Sequence, residues 1–358
     1  STSSARKRKR EDSPDAISFS KQKKQRSNTG GVVSTEDAES VVYIRQRVPH
    51  RRLLLYTEQM LMKHNFGVSK SAEAPLVQIA QQQNELSVHF KEAHQAKRCV
   101  NLLTSLLPVN DPSTSANNAN TITDYNVEIA PICTGDLVCL PPRLYTSMGM
   151  FGPLVICIKV SENLSFIDPN TLQVGEVSAY HYFSTKFKSL LNTTKNLIEF
   201  TVIDVEKVMK NNHKPVKNGA YELADVTVSK SNELGHSDAA VFSIKTHLGH
   251  ILQPGDRVMG YDLKNANLND EHLESSQYKH VIVPDAVLVR KVYDKPKRRY
   301  WFLKSGAVTG AASEEDYERF LDELEEDEEM RKQINLYKDP NYKKSEQETD
   351  MELDDAWK

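Results

Sequence analysis

The chain has 358 residues, 46 Lys and Arg against 49 Asp and Glu, a formal net charge of −3 and only four cysteines. That length accommodates two or three ordinary domains, and no run of apolar residues approaches a membrane span or the core of a secretory signal, so a soluble intracellular protein is expected. The near-neutral total conceals opposed ends: residues 1–30 carry nine basic residues and three acids, whereas residues 314–329 carry eleven acids and one Arg. Such asymmetry marks interaction tails and nucleic-acid contact. Cys99, Cys133, Cys139 and Cys157 lie in apolar surroundings without a CxxC pair, the pattern of buried free thiols in a reducing compartment. The first residue is Ser rather than Met, which suggests a processed or incomplete N-terminus.

Residues 1–40 have almost no apolar surface to offset the entropy of ordering and read as a disordered basic tail. Arg6, Lys7, Arg8, Lys9 and Arg10, then Lys21, Lys23, Lys24 and Arg26, form two basic clusters about ten residues apart, the spacing of a bipartite nuclear localisation signal read by an import receptor. A basic arm binding RNA without sequence preference is the alternative.

The first folded unit is expected at 41–110. Arg45, Arg47, Arg51 and Arg52 precede or open a helix whose Leu54, Leu55, Leu61 and Met62 recur at helical spacing. A short extended segment at Leu76–Ile79, an alternating strand at Leu86–Phe90 and a helix over about Lys91–Leu107 complete a small α/β module. Basic residues at a helix start oppose the macrodipole, so these arginines read either as phosphate contacts or as a solvated basic face. Residues 111–124 form a polar linker.

From Tyr125 the texture changes to short strands between Gly, Pro and Asn turns. Residues 125–190 read as a small antiparallel barrel, and 191–292 as a five-strand OB-type barrel with a long polar connection over Lys207–Lys217. Past Val292, Lys295, Lys297, Arg298 and Arg299 surround Trp301 in a basic and aromatic segment that suits either unpaired bases or a second import signal with a packed anchor. Glu314–Met330 is an acidic helix with Phe320, Leu321 and Leu324 on one narrow side, expected to fold on a basic partner or to fray. The fold class is therefore α+β, mostly β, with a disordered basic N-terminal tail and an acidic C-terminal tail.

Catalytic chemistry finds no support: GxSxG, P-loop, HExxH and Rossmann glycine patterns are missing, and no Cys/His cluster has ligand spacing, so no cofactor is expected. His247 and His250 flank Gly249 beside a Pro254–Gly255–Asp256 turn, which argues for a turn apex rather than a metal or acid/base pair. A non-enzyme is expected.

Val127–Cys133, Phe166–Val174, Thr246–Asp270, Pro284–Val289 and Phe320–Glu328 together resemble the Nmd-three family of large-ribosomal-subunit nuclear-export adaptors. The resemblance implies a module similar to ribosomal protein L-twenty-two at 41–110, then SH3-like and OB barrels similar to translation factor five A. It implies binding to the pre-60S particle, its rRNA and the L-one stalk, recruitment of exportin one with Ran-GTP, and shuttling between nucleus and cytoplasm, with neither a membrane nor a small-molecule substrate. A translation-factor-like RNA-binding module without an export role is the competing reading. Two departures stand out. The family's N-terminal CxxC zinc region has no counterpart in residues 1–40, and Leu321, Leu324, Met330, Ile334 and Leu336 give only a degenerate export signal, with too wide a gap.

Overall fold

The structure, a computed structural model, describes residues 40–338 apart from Pro49, 67–75, 81–84, 111–113, 116–122, Met150, 211–213, 236–238, 269–270, 272, 276–277, 279–280, 294–298 and Tyr300. The two basic clusters within residues 6–26, together with Lys295, Lys297 and Arg298, lie outside the described residues.

The first unit comprises β1 (Ser40–Gln46), α1 (Arg52–Lys63), β2 (Leu76–Ala80), β3 (Glu85–Phe90), α2 (Ala93–Leu106), β4 (Thr114–Ser115) and β5 (Thr123–Ile129), with sheet order β2-β3-β1-β5-β4. The central strand β1 pairs antiparallel with β3 and parallel with β5, Ser40 opposite Thr123 and Gln46 opposite Ile129. Arg45 precedes α1 from a strand whose Val42 and Ile44 alternate into the core, and one sequence expectation changes here. Val127–Ile129 completes this first sheet rather than the following barrel.

The second unit contains β6 (Leu137–Cys139), α3 (Pro142–Ser147), β7 (Leu154–Val160), β8 (Asn163–Ile167), β9 (Val174–Ser178), α4 (Ala179–Thr185) and β10 (Ser189–Leu191). Its sheet runs β10-β6-β7-β8-β9, and Phe166, Phe187, Leu164 and Val155 lie in its core. The β8–β9 turn explains the Phe166–Val174 stretch. Asp168 accepts from Asn170 N at 2.9 Å and from Thr171 Oγ1 at 2.8 Å, which closes the turn on itself.

The third unit holds β11 (Ile198–Lys207), two short ribbons β12 (Met209–Lys210) with β13 (Lys214–Pro215) and β14 (Lys217–Asn218) with β15 (Tyr221–Glu222), then β16 (Ala224–Lys230), β17 (Val241–Thr246), β18 (Arg257–Asp262) and β19 (Ala286–Lys291). Five antiparallel strands in the order β17-β16-β11-β18-β19, with β17 and β19 brought close together, make the expected barrel. The long polar connection is the pair of ribbons. Gly249 is required where the chain leaves β17: a Cβ there would sit 2.8 Å from the Glu222 carbonyl oxygen and from the Ala224 side chain.

The chain then returns to the first unit through β20 (Trp301–Phe302), α5 (Ala307–Ala311), α6 (Glu314–Glu326), α7 (Glu328–Lys332) and β21 (Tyr337–Lys338). Trp301, Leu303, Val308, Phe320, Leu324 and Ile334 share one apolar cluster with α1, α2 and the first sheet. The acidic helix therefore folds on a partner in its own chain, its narrow apolar side supplying the burial that its short length lacks.

This return explains why α1 is buried on nearly all sides, polar residues included. The buried carboxylate of Glu58 accepts from Val308 N at 2.7 Å, Thr309 N at 3.0 Å and Thr309 Oγ1 at 2.9 Å. Gly306 permits this approach, because a Cβ at that position would overlap Glu58 and Met62. Glu58→Ala, which strands two backbone donors, is expected to cost about 2 kcal/mol. Thermal unfolding of the variant measures it, and an unchanged melting temperature would remove the anchoring role.

Candidate nucleic-acid interface

The predicted contact residues divide sharply by environment. Arg47 stays exposed, its Nε 3.0 Å from Glu128, and Arg45 is half-exposed beside Glu85. The Arg51 backbone N–H donates to Asp316 at 3.3 Å. Arg52, by contrast, is 5% exposed: its guanidinium pairs with Glu323 and donates to Thr193 Oγ1 at 2.8 Å. It is therefore corrected from a phosphate contact to an internal fastening, since a phosphate would have to displace α6 to reach it.

Arg299 needs the same correction. It lies across α6 and meets Glu318, Asp322 and Glu325, each at 2.7 Å. Carboxylates one helical turn apart face the same way, so one guanidinium spans all three. Trp301 is 8% exposed and anchors the core instead of presenting a stacking face. Of the export-signal residues, Leu321, Leu324 and Ile334 are buried, while Met330 and Leu336 pack partly against the same core. They are packed into the first unit's core, which corrects their reading as a degenerate export signal.

Asp136 and Thr193, unremarked in the sequence, are the centre of the junction that holds the units together. Asp136 accepts from Cys133 N at 3.0 Å, Ser189 Oγ at 2.7 Å and Thr193 N at 3.1 Å. Thr193 then offers its hydroxyl to Arg52 and its carbonyl to Arg319, the latter at 3.0 Å. From the third unit, Tyr261 donates to Gly135 O at 2.9 Å. The only sequence signal was the Gly135–Asp136 pair, where Gly135 adopts a φ of 88°. Leu137, Ile167, Leu172 and Leu191 pack against Tyr261, Leu263 and Val287, and this apolar seam joins the two barrels.

Burial dominates the electrostatics of the junction. It raises the Asp136 pKa against three hydrogen bonds, and it pushes the Cys133 thiol well above its ordinary value, so that thiol stays protonated and unreactive. Burial, then the charges of Arg52 and Arg319, lower His50 to about 3. For Arg52 itself, burial opposes the charge, and Glu323 with its acidic neighbours more than offsets it. A cleft of about 270 Å³ opens beside these groups, with Lys159, Asp327 and Glu329 at its wall. Charges of both signs line it and largely satisfy each other, as in the Lys159–Glu329 pair.

His247 is buried, with its ring 5.4 Å from that of Tyr221, and His250 lies 6.1 Å from the same ring. Both belong to the turn that leaves β17. Among the described residues, no group of three His, Cys, Asp or Glu side chains is placed to hold a metal ion, and no helix is long and apolar enough to cross a membrane. Beyond Arg47, the barrels expose Lys186 and Lys188 after α4 and Lys210 and Lys214 on the first ribbon, side chains suited to a polyanion.

Comparison with known proteins places these units. Residues 132–180 match a family profile described as the NMD3 SH3 domain, and residues 197–291 one described as the NMD3 OB-fold domain. The second match spans β11 to β19. Over 84% of its length the chain is 36% identical to a Dictyostelium discoideum protein named 60S ribosomal export protein NMD3, covering 58% of it. Proteins of the same name from Saccharomyces cerevisiae and Homo sapiens are each 34% identical, over 90% and 84% of this chain and 64% and 61% of their own lengths. The chain thus spans less than two thirds of these curated relatives.

Proposed function

The chain belongs to the NMD3 family, and from that premise we propose that it binds the large ribosomal subunit and serves that subunit's export from the nucleus. The observation that carries this reading is identity of 33% to 36%, over most of the chain, to proteins named for 60S export. Two β-barrels joined by an apolar seam and a buried polar junction support it physically: a fixed pair of barrels presents its loops to an RNA surface in one geometry, at less ordering cost than two tethered ones. Binding is adaptor-like, through exposed basic residues such as Arg47, Lys186, Lys188, Lys210 and Lys214 rather than through the buried arginines.

The finer reading adds exportin one with Ran-GTP, the L-one stalk, and an import receptor on the basic clusters of residues 6–26, with shuttling between nucleus and cytoplasm. In that reading the export signal lies outside residues 321–336. The burial of Leu321, Leu324 and Ile334 equally supports the second reading, a subunit-binding module that leaves export to another segment. A reporter carrying residues 1–358 separates the two: exportin-dependent exit from the nucleus favours the first, retention the second.

Co-sedimentation with purified large subunits across a salt series tests the reading itself. Binding is expected to weaken steeply with salt. Combined Arg47→Ala, Lys186→Ala and Lys188→Ala substitution is expected to lower the slope of log affinity against log salt by roughly 2 to 3. Absence of binding at low salt overturns the reading, and an unchanged slope removes these three residues from the interface.

A further inference from the structure

Along Trp301–Lys304 the side chains alternate: Trp301 and Leu303 enter the core, while Phe302 and Lys304 face outward. The partner strand places Tyr337 directly opposite Phe302. Residues paired in this way share one face of the ribbon. The Phe302 and Tyr337 rings lie side by side with centroids 5.8 Å apart and planes tilted by 34°, and Lys304 Nζ stands 4.7 Å from the centre of the Tyr337 ring.

This arrangement has a division of labour. Tyr337 holds the Lys304 ammonium by a cation–π contact, which fixes a positive charge next to Phe302. Phe302 remains 45% exposed, although its neighbours Trp301 and Leu303 show that the ribbon has a core face available for apolar side chains. An open aromatic ring with a restrained ammonium alongside is the pairing that a nucleotide fits, base on ring and phosphate on cation.

We propose that the outer face of this ribbon is a binding site for an unpaired RNA base, with Phe302 stacking on the base and Lys304 meeting the adjacent phosphate. The site deepens the subunit-binding reading and rests on it. RNA is favoured over a protein partner by charge: Lys304 holds an ammonium against the rings, and an apolar protein anchor would gain nothing from an ammonium held at its edge. The sequence pointed to this segment but to the wrong ring, since Trp301 is the anchor and Phe302 the platform.

The test titrates the full chain into a fluorescently labelled, short single-stranded oligouridylate and follows anisotropy, with subunit co-sedimentation measured alongside. Phe302→Ala removes an exposed ring and leaves the core face intact. It is expected to weaken oligouridylate binding about tenfold, the loss of one base stack, without changing the salt slope. Lys304→Ala is expected to lower that slope by about one. Phe302→Trp is expected to retain binding, and a duplex of matched length is expected to be indifferent to all Phe302 changes.

Equal affinity of Phe302→Ala and the unaltered chain for oligouridylate overturns the site. So does a Phe302→Ala variant that loses subunit binding while keeping oligouridylate affinity, because the face would then be meeting a protein. Failure of the unaltered chain to bind subunits strikes the broader reading instead, and the two failures are read from different measurements.

Discussion

Acidification from pH 7 to pH 5 is expected to destabilise the fold by about 4 kcal/mol through two histidines alone. His50 and His247 are both buried, and their pKa values are lowered to about 3 from the ordinary 6.5. Burial is the main cause in each case, followed by Arg52 and Arg319 for His50 and by His250 for His247. The Nδ1 atom of each ring has no hydrogen-bond partner among the described residues, so a proton added there would create a buried donor without an acceptor.

The sign follows from linkage. The folded state holds both rings neutral, whereas the unfolded chain takes up a proton on each as the pH falls below 6.5. Stability is therefore fully present above that value and declines toward pH 3. Each ring contributes about 1.4 kcal/mol per pH unit, or about 2 kcal/mol at pH 5. Asp136, with a raised pKa, works the other way: its buried charge costs stability, and protonation relieves that cost as the pH falls through its folded value. Urea unfolding at the two pH values provides the measurement, and His247→Gln is expected to remove about half of the dependence. A midpoint that stays constant between pH 7 and pH 5 would mean that neither ring is held neutral by the fold.

The local elements were readable because they rest on short-range chemistry. The alternation of Ile198–Val205 and Val258–Leu263, the helical stripe of Leu54, Leu55 and Leu61, and the single apolar side of the acidic helix all appear where periodicity puts them. The family-specific stretches have local causes as well. Phe166–Val174 encloses an Asp turn, and Thr246–Asp270 encloses a glycine pressed against backbone.

What escaped is the pairing of segments far apart in sequence. Whether Val127–Ile129 closes the first sheet or opens a barrel depends on β1 lying beside it in parallel, more than eighty residues earlier. Nothing in either strand records the other. Burial of charge is equally opaque: Arg45, Arg47, Arg51 and Arg52 look alike in sequence, yet only Arg52 meets a carboxylate 271 residues away and disappears from the surface. The Gly135–Asp136 pair marked a turn but not the junction, because the Asp136 partners Ser189 and Thr193 come from the far end of the barrel. The candidate interface was thus legible as a composition, basic and partly aromatic, but not as a set of residues.

Arg52→Met is expected to destabilise the chain by about 3–5 kcal/mol while leaving the salt dependence of subunit binding unchanged. The Arg52 side chain is 6% exposed and that of Glu323 26%, so removing the arginine takes the paired cation from a partly buried carboxylate and a donor from Thr193. The α6 helix then loses a guanidinium clamp on its acidic side, where Arg299 provides another. Because an isolated buried charge is costlier than a missing pair, Arg52→Met combined with Glu323→Leu is expected to recover much of the loss. Removing Arg52 also removes the second largest cause of the low His50 pKa, so the His50 pKa should rise in the single variant and its acid sensitivity lessen. Unfolding followed by urea, an NMR titration of His50 and a salt series on large subunits together separate the two roles of an arginine. A variant with unaltered stability and a slope lower by about one would return Arg52 to the RNA surface. A variant with lowered stability and an unaltered slope makes it the pin between the first unit, the SH3-like barrel and the acidic helix.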